Sequence, residues 1–140
     1  MKKKKRKKLK SIPSLRNKLW SIVSEVVRRG SADDQGYVTC VTCNKSLHWK
    51  EAHAGHFIPR ARGIACYFEC RNIHPQCPGC NFFGGEMVKI RYSQWMTRMY
   101  GQDEVDRLIA LAATTVHLTR ADYDEKIEHY KLCLSELGPE

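Results

Sequence analysis

Residues 40–81 contain the pattern from which the architecture of the chain follows: CVTCNKSLHWKEAHAGHFIPRARGIACYFECRNIHPQCPGCN. Two Cys-x2-Cys pairs stand at its ends and enclose 33 residues. The pairs are Cys40 with Cys43 and Cys77 with Cys80. Pairs at this spacing are typical of structural zinc sites, in which four thiolates bind one tetrahedral ion. Zinc would hold the two ends of the intervening loop together.

Cysteines in this chain are better explained by metal binding than by disulfides. The basic residues at the N-terminus are not followed by an apolar segment of the kind found in secretory signals. We therefore expect the chain to stay in a reducing cytoplasm, where disulfides do not persist. Two further cysteines inside the loop, Cys66 and Cys70, can either bind metal or fill small spaces in the core.

Apolar residues on both sides of the loop repeat with helical spacing. From Pro13 to Gly30 the stripe consists of Leu15, Leu19, Ile22, Val23 and Val26. Three further stripes follow between residues 87 and 138. Residues 40–85 show no helical period and contain several glycines and prolines, which predicts loops and short strands.

Charge is unevenly distributed along the chain. The net charge is +9, and residues 1–10 hold eight of the 24 Lys and Arg residues. Residues 101–140 hold four basic and nine acidic residues. A polyanion would therefore contact the N-terminal arm and the central region. No apolar run approaches the roughly 18–20 residues that span a bilayer, so we expect no membrane segment.

Histidine and asparagine residues inside the loop complete a second pattern. Gly55-His56 is followed by Asn72, and Asn81 stands directly after Cys80. This arrangement resembles the HNH (ββα-metal) nuclease motif, and the paired cysteines resemble its zinc-braced subset. The wider pattern, with Arg71-Asn72-Ile73-His74 and Gly101-Gln102-x-x-Val105-Asp106, is similar to the phage NinG/Rap recombination endonuclease family.

The resemblance implies an α+β fold: a zinc-braced ββα-metal (HNH) core flanked by one N-terminal and about three C-terminal helices. Residues 1–12 would be a flexible basic arm, and residues 13–140 a single nuclease domain. Within that domain we expect a helix over residues 13–30, the zinc/HNH core over 37–100 and the C-terminal helices over 102–138.

The resemblance also implies roles for individual residues. His56 would be the general base that activates water. Asn81 would be a ligand of the catalytic Mg²⁺ or Mn²⁺. Asn72 would brace the loop between the two strands and so help to position His56. The four paired cysteines would hold structural Zn²⁺.

One position departs from the family pattern. Many HNH enzymes have a metal-binding Asp directly before the catalytic His, and here that position is Gly55. A ligand from elsewhere must complete the site, and His53, His74 and Glu51 are the nearby candidates. His53 would face away from His56 in an extended strand, whereas His74 lies two residues from Asn72 on the same strand face. We therefore favour His74.

Two groups of basic residues are expected to bind DNA. Arg60, Arg62 and Arg71 lie close to His56 and Asn72 in sequence, and arginine binds phosphate oxygens in bidentate fashion. The arm would bind DNA without sequence preference and with strong salt dependence. Its basic residues before position 9 are Lys2, Lys3, Lys4, Lys5, Arg6, Lys7 and Lys8.

The resemblance predicts a metal-dependent, structure-selective endonuclease that acts on branched recombination intermediates, Holliday junctions and D-loops, in the cytoplasm of a bacterial host. Symmetric cleavage of a junction needs two active sites, so we expect a homodimer. Two alternatives stay open. An HNH nuclease acting on ordinary duplex DNA would show no preference for branches. A non-catalytic zinc module, which the glycine at position 55 favours, would bind DNA without cutting it.

Overall fold

A computed structural model describes residues 4–140; Lys2 and Lys3 of the expected arm lie outside the described residues. Residues 4–11 are exposed and precede the first helix without regular secondary structure. In chain order the helices and strands of this range are α1 (Ile12–Gly30), β1 (Tyr37–Thr39), β2 (Ser46–His48), β3 (His53–His56), β4 (Ile73–Gln76), α2 (Pro78–Phe83), α3 (Gly85–Tyr100), α4 (Gln102–Ala112) and α5 (Arg120–Glu136).

The first helix begins where the sequence supplies start signals. The Ser11 side chain caps α1, and Pro13 fits its first turn, where no amide donor is needed. On the apolar stripe of α1, Leu19 and Val23 are completely buried. This stripe faces the main hydrophobic core, which α1 shares with α5 and the strand pair β3–β4.

The last helix closes the same core. Thr119 and Asp122 form a capping box at the start of α5, as their spacing predicts. Tyr123 and Ile127 are buried against α1, and the hydroxyl of Tyr123 accepts a hydrogen bond from Arg16 Nε at 3.2 Å. The first and last helices of the described range therefore pack directly on each other.

The strands form two separate antiparallel hairpins, β1–β2 and β3–β4. In the second hairpin His53 pairs with Gln76, and Gly55 pairs with His74. Directly opposed residues project from the same face of a sheet, so these four share one face. The other face carries Ala54 and packs on α1. Because α2 follows β4 directly, β3, β4 and α2 form a ββα unit.

A smaller core joins α3 and α4 to the region around the first cysteine pair. Tyr92 and Met96 of α3 are buried with Val105 and Leu108 of α4, and Val41 belongs to the same cluster. The helical conformation is interrupted between α2 and α3 at Gly84 and Gly85, and Gly85 adopts the left-handed φ of +56°. The helical pattern that begins at Met87 in the sequence thus begins two residues earlier in the structure.

The prediction of an α+β fold is confirmed. The described range contains one helix before the strands, three longer helices after the ββα unit and a cluster of four cysteines that could hold zinc.

Replacing Leu19 with alanine is expected to destabilise the protein by about 2–5 kcal/mol, because the cavity would open in the shared core of α1, α5 and β3–β4. Leu132→Ala is the matched control, since Leu132 is 60 % exposed, and it should change stability by less than about 0.5 kcal/mol. Urea unfolding followed by circular dichroism measures both. Equal effects of the two substitutions would contradict the placement of this core.

Candidate active site and metal centre

The four paired cysteines lie close together, two of them in the turn after β1 and two at the junction of β4 and α2. Their sulfur atoms all lie within 4.8 Å of one another, and the Cys43 and Cys77 sulfurs are 3.7 Å apart. Zinc–sulfur bonds of about 2.3 Å in a tetrahedron place sulfurs about 3.8 Å apart. The cluster therefore has the donor type, the number of donors and the spacing that a structural zinc ion requires.

Local turns bring each pair of sulfurs together. Cys40 follows β1, and the turn after Cys43 is closed by Asn44, whose φ of 63° is left-handed. Cys77 ends the second hairpin and caps α2, so that the backbone amide of Cys80 lies 3.4 Å from the Cys77 sulfur. Both turns are short and local, which is why the spacing predicts them from sequence.

The pKa values of the paired cysteines differ from one another. Burial disfavours the Cys40 thiolate, but hydrogen bonds from Thr42 and from backbone groups outweigh it and lower its pKa to about 6. Burial raises the pKa of Cys80 to about 12, and the neighbouring thiols of Cys77 and Cys43 add to that rise. Four thiolates this close need a positive charge between them.

Two other cysteines lie apart from this cluster. Cys66 is buried and donates to the carbonyl oxygen of Leu108 at 3.4 Å. Cys70 lies 2.8 Å from the hydroxyl of Tyr130. Within residues 4–140, the four paired cysteines are the only group of three or more His, Cys, Asp and Glu side chains close enough to share an ion. Of the two alternatives for Cys66 and Cys70, the packing role is the one that agrees with these contacts.

His56 stands at the end of β3 in a restricted environment. Its Nε2 atom lies 2.8 Å from the backbone carbonyl oxygen of Tyr67. A carbonyl only accepts, so Nε2 carries the proton and Nδ1 keeps its lone pair. The ring stacks on Trp20 of α1 with centroids 4.8 Å apart. Burial lowers the pKa of His56 to about 4, the Tyr67 carbonyl opposes this shift, and the charge of Arg60 adds to it. The imidazole is neutral at pH 7 and has one basic nitrogen.

Asn72 fixes the loop that carries the Tyr67 carbonyl. Its side chain is fully buried, accepts from the amide of Ile58 at 2.7 Å, and donates to the carbonyl oxygens of Ile58 and Cys66 at 3.1 and 3.0 Å. One side chain at the end of the connection between β3 and β4 therefore satisfies backbone groups at its start and in its middle. The bracing role implied for Asn72 agrees with these contacts.

Asn81 and His53 contact each other across the ββα unit. The amide nitrogen of Asn81 lies 3.1 Å from His53 Nδ1. An amide nitrogen only donates, so His53 Nδ1 accepts and the Asn81 oxygen is left to bind an ion. His53 thus orients Asn81. This contact differs from the role expected of His53, which is direct binding of the catalytic ion.

Both ring nitrogens of His74 contact tyrosines of α3. Tyr92 donates its single hydroxyl proton to the Gly55 carbonyl oxygen at 2.7 Å. His74 Nδ1, 3.0 Å from that hydroxyl, must therefore donate to it, and His74 Nε2 accepts from Tyr100 at 2.8 Å. No lone pair is left for a metal. The geometry gives no support to His74 as the ligand that replaces the missing Asp.

A cavity of about 620 Å³ joins the candidate residues. His56 and Asn81 both line it, as do three cationic side chains, Arg60, Arg62 and Lys89. A phosphate group would meet a basic nitrogen, an amide and positive charge in one place.

Arg71 is not part of this cavity. It pairs with Glu104 at 3.4 Å, and its guanidinium lies 5.1 Å from the ring centroid of Tyr100. The structure therefore separates Arg71 from Arg60 and Arg62, with which the sequence groups it. Glu51 is exposed and is also absent from the cavity lining.

The sequence gives no clear sign of two residues that line this cavity, Gln76 of β4 and Phe82 of α2. Phe83 follows Phe82 directly in the chain. The two phenylalanines are 69 % and 87 % exposed. The sequence pattern that could have indicated their exposure is an apolar pair directly after Asn81. The helix that contains this pair is too short to bury both side chains.

Comparison with known proteins places the chain in a family. No curated protein and no solved structure matches the chain significantly. Among the described residues, no helix has the length and apolar character needed to cross a bilayer. A family model described as "Bacteriophage Lambda NinG protein" matches residues 1–140, which confirms the resemblance seen in the sequence. The paired cysteines agree with this assignment, and the chain belongs to the NinG family.

Proposed function

We propose that the protein is a metal-dependent endonuclease of the HNH type that acts on branched DNA in phage recombination. The observation that carries the proposal is the state of His56. It is neutral, its Nε2 proton is bound by a carbonyl, and it lines a cavity with three cationic side chains. The family match supports the recombination role.

His56 would act as the general base. Its Nδ1 atom would take a proton from a water molecule as the water oxygen attacks phosphorus in line with the leaving 3′ oxygen. The products would be a 5′-phosphate and a 3′-hydroxyl. Trp20 and the Tyr67 carbonyl hold the ring in one orientation and one tautomer. When bound, Mg²⁺ or Mn²⁺ supplies positive charge to the leaving oxygen, and Asn81 would be one of its ligands.

The four cysteines would hold structural Zn²⁺. One ion would join the turn after β1 to the junction between β4 and α2. That junction also carries Asn81. Zinc would thus fix the position of a proposed catalytic side chain without contacting the substrate.

Positive charge would hold the DNA backbone at the cavity. Arg60, Arg62 and Lys89 are placed to contact phosphates beside the scissile bond. Lys4, Lys5, Arg6, Lys7 and Lys8 are exposed and would add salt-dependent affinity. Lys2 and Lys3 belong to the same proposal on sequence grounds. Arg71, which is paired with Glu104, is left out of it.

Preference for branched DNA has its own support in the exposed aromatic pair. Phe82 lines the cavity and contacts His53 at 4.8 Å between ring centroids, and the exposed Phe83 lies beside it with ring centroids 6.2 Å apart. Aromatic side chains stack on the faces of bases, which an opened branch point exposes and a continuous duplex does not. A homodimer acting in the host cytoplasm would cut a four-way junction symmetrically.

The glycine at position 55 favours a second candidate function, a zinc-containing module that binds DNA without cutting it. In that case the cavity would bind phosphate but would not support Mg²⁺-dependent cleavage. The nuclease and the binding module make opposite predictions in one assay.

His56→Ala is expected to lower the rate of four-way junction cleavage about 100- to 10,000-fold, because the general base is lost, while junction binding is retained. Single-turnover cleavage with Mg²⁺, Mn²⁺ or chelator, alongside electrophoretic binding, measures both properties. His117→Ala, at an exposed histidine, is the control and should cut normally. Binding by the wild type without cleavage under either ion would support the binding module instead.

Cys43→Ser is expected to weaken zinc binding by about 100-fold or more, because one of four thiolate ligands is removed. Competition with a chromogenic chelator measures the affinity, and metal analysis gives the zinc content. Cys70→Ser is the matched control, since its hydroxyl can still bond to Tyr130. Unchanged zinc affinity in Cys43→Ser, or lost zinc in Cys70→Ser, would place the metal elsewhere.

Phe83→Ala is expected to lower affinity for a four-way junction about tenfold and to change duplex affinity by less than about twofold, because a stacking platform for the base faces exposed at the branch point is lost. Fluorescence anisotropy with matched labelled DNAs gives both constants. Ile109→Ala, at an apolar residue 52 % exposed on α4, serves as the control. An equal loss on both DNAs would remove the aromatic pair from branch recognition.

A further inference from the structure

The side chain of Gln76 occupies the space that a side chain at position 55 would fill. A Cβ atom built on Gly55 would lie 1.9 Å from Gln76 Oε1, 2.7 Å from Cδ and 3.0 Å from Cγ. These separations are far below van der Waals contact. A side chain at position 55 would therefore have to displace the amide of Gln76.

The register of the hairpin explains this overlap. Gln76 pairs with His53 and Gly55 pairs with His74, so the side chain of Gln76 projects from the face of β4 that corresponds to position 55 on β3. Because Gly55 has no side chain, the Gln76 amide extends across it. The oxygen of Gln76 is thereby delivered to the place from which an Asp before the catalytic His would extend.

The amide is held in one orientation. Gln76 is 3 % exposed, and its Nε2 atom lies 3.2 Å from Thr42 Oγ1. The amide nitrogen only donates, so the Thr42 hydroxyl oxygen accepts from it. The same hydroxyl lies 3.4 Å from the Cys40 sulfur, which joins Gln76 to the cysteine cluster. The nitrogen of the amide therefore faces Thr42, and the oxygen faces Gly55.

We propose that Gln76 Oε1 is the oxygen ligand that replaces the missing Asp, and that it binds the catalytic divalent ion together with Asn81 Oδ1. The inference rests on the proposed nuclease function. Gln76, Asn81 and His56 line the same cavity, and His53 holds the Asn81 nitrogen so that its oxygen is available. Amide oxygens are ligands that Mg²⁺ and Mn²⁺ accept.

This donor set has a consequence for when the ion binds. Both protein ligands are neutral, whereas hard divalent ions bind most tightly where ligand charge offsets their own. The negative charge must come from a DNA phosphate placed by Arg60, Arg62 and Lys89. The free protein should bind Mn²⁺ weakly, and the protein–DNA complex should bind it much more tightly.

Mn²⁺ binding tests the proposal without relying on cleavage. Electron paramagnetic resonance would count free Mn²⁺ during titration of the zinc-loaded full chain, alone and with a four-way junction, in a His56→Ala background that leaves the DNA intact. Gln76→Met removes the oxygen and keeps most of the bulk. Gln94→Met, at an exposed glutamine on α3, is the control.

Gln76→Met is expected to weaken Mn²⁺ binding to the DNA complex at least about tenfold, and the control to leave it unchanged. Gln76→Glu should strengthen Mn²⁺ binding by the free protein, because it adds charge at the same atom. Gly55→Asp with Gln76→Ala should restore the affinity lost in Gln76→Met, since the carboxylate enters the vacated space.

Retention of wild-type Mn²⁺ affinity by Gln76→Met, together with no gain in Gln76→Glu, would overturn the assignment of Gln76 while junction cleavage by the wild type still supported the nuclease. If the His56→Ala parent did not bind Mn²⁺ with DNA and the wild type did not cut the junction, both proposals would fall. Should Gln76→Met not fold, as judged by circular dichroism and zinc content, Gln76→Glu alone decides the question by the sign of its effect.

Discussion

Crowding of four sulfur atoms is the constraint on which the rest of this structure depends. The thiols of Cys40, Cys43, Cys77 and Cys80 lie within 4.8 Å of one another, a distance at which four negative charges require a cation. Meeting that requirement with zinc would join the end of β1 to the start of α2 and so close the hairpin between them. Thr42 connects the cluster to the cavity, because its hydroxyl contacts both Cys40 and Gln76.

Local patterns were readable from the sequence because their causes are local. The Cys-x2-Cys spacing predicts tight turns, the apolar stripes predict the helices, and Thr119 with Asp122 predicts a capping box that the structure contains. What the sequence could not give was the partner of each polar side chain. Strand alternation alone favours His74 as a ligand, yet Tyr92 and Tyr100 of α3 use both of its nitrogens. Arg71 likewise pairs with Glu104, a residue distant in sequence.

The glycine at position 55 is a second case in which the sequence does not reveal a side chain's partner. A missing side chain can be seen in the sequence, but its substitute depends on the register of β3 against β4, which no local signal fixes. The position of His56 also depends on the core behind the β3–β4 hairpin. Trp20 of α1 holds one face of His56, while the loop braced by Asn72 holds its Nε2 proton. The proposed base is thus carried by β3 and positioned by two further parts of the chain, α1 and this loop.

The packing of α1 on α5 has a consequence for the order in which the chain acquires its structure during synthesis. The apolar face of α1, completed first, has its partner helix some 100 residues later in the chain. Contacts of such long sequence separation form late, since loop closure must come before them. A nascent chain that ends before α5 lacks part of the core that holds the helix carrying Trp20, and with it part of the support for the ring of His56. The proposed catalytic centre would accordingly be held fully in place only after α5 has left the ribosome.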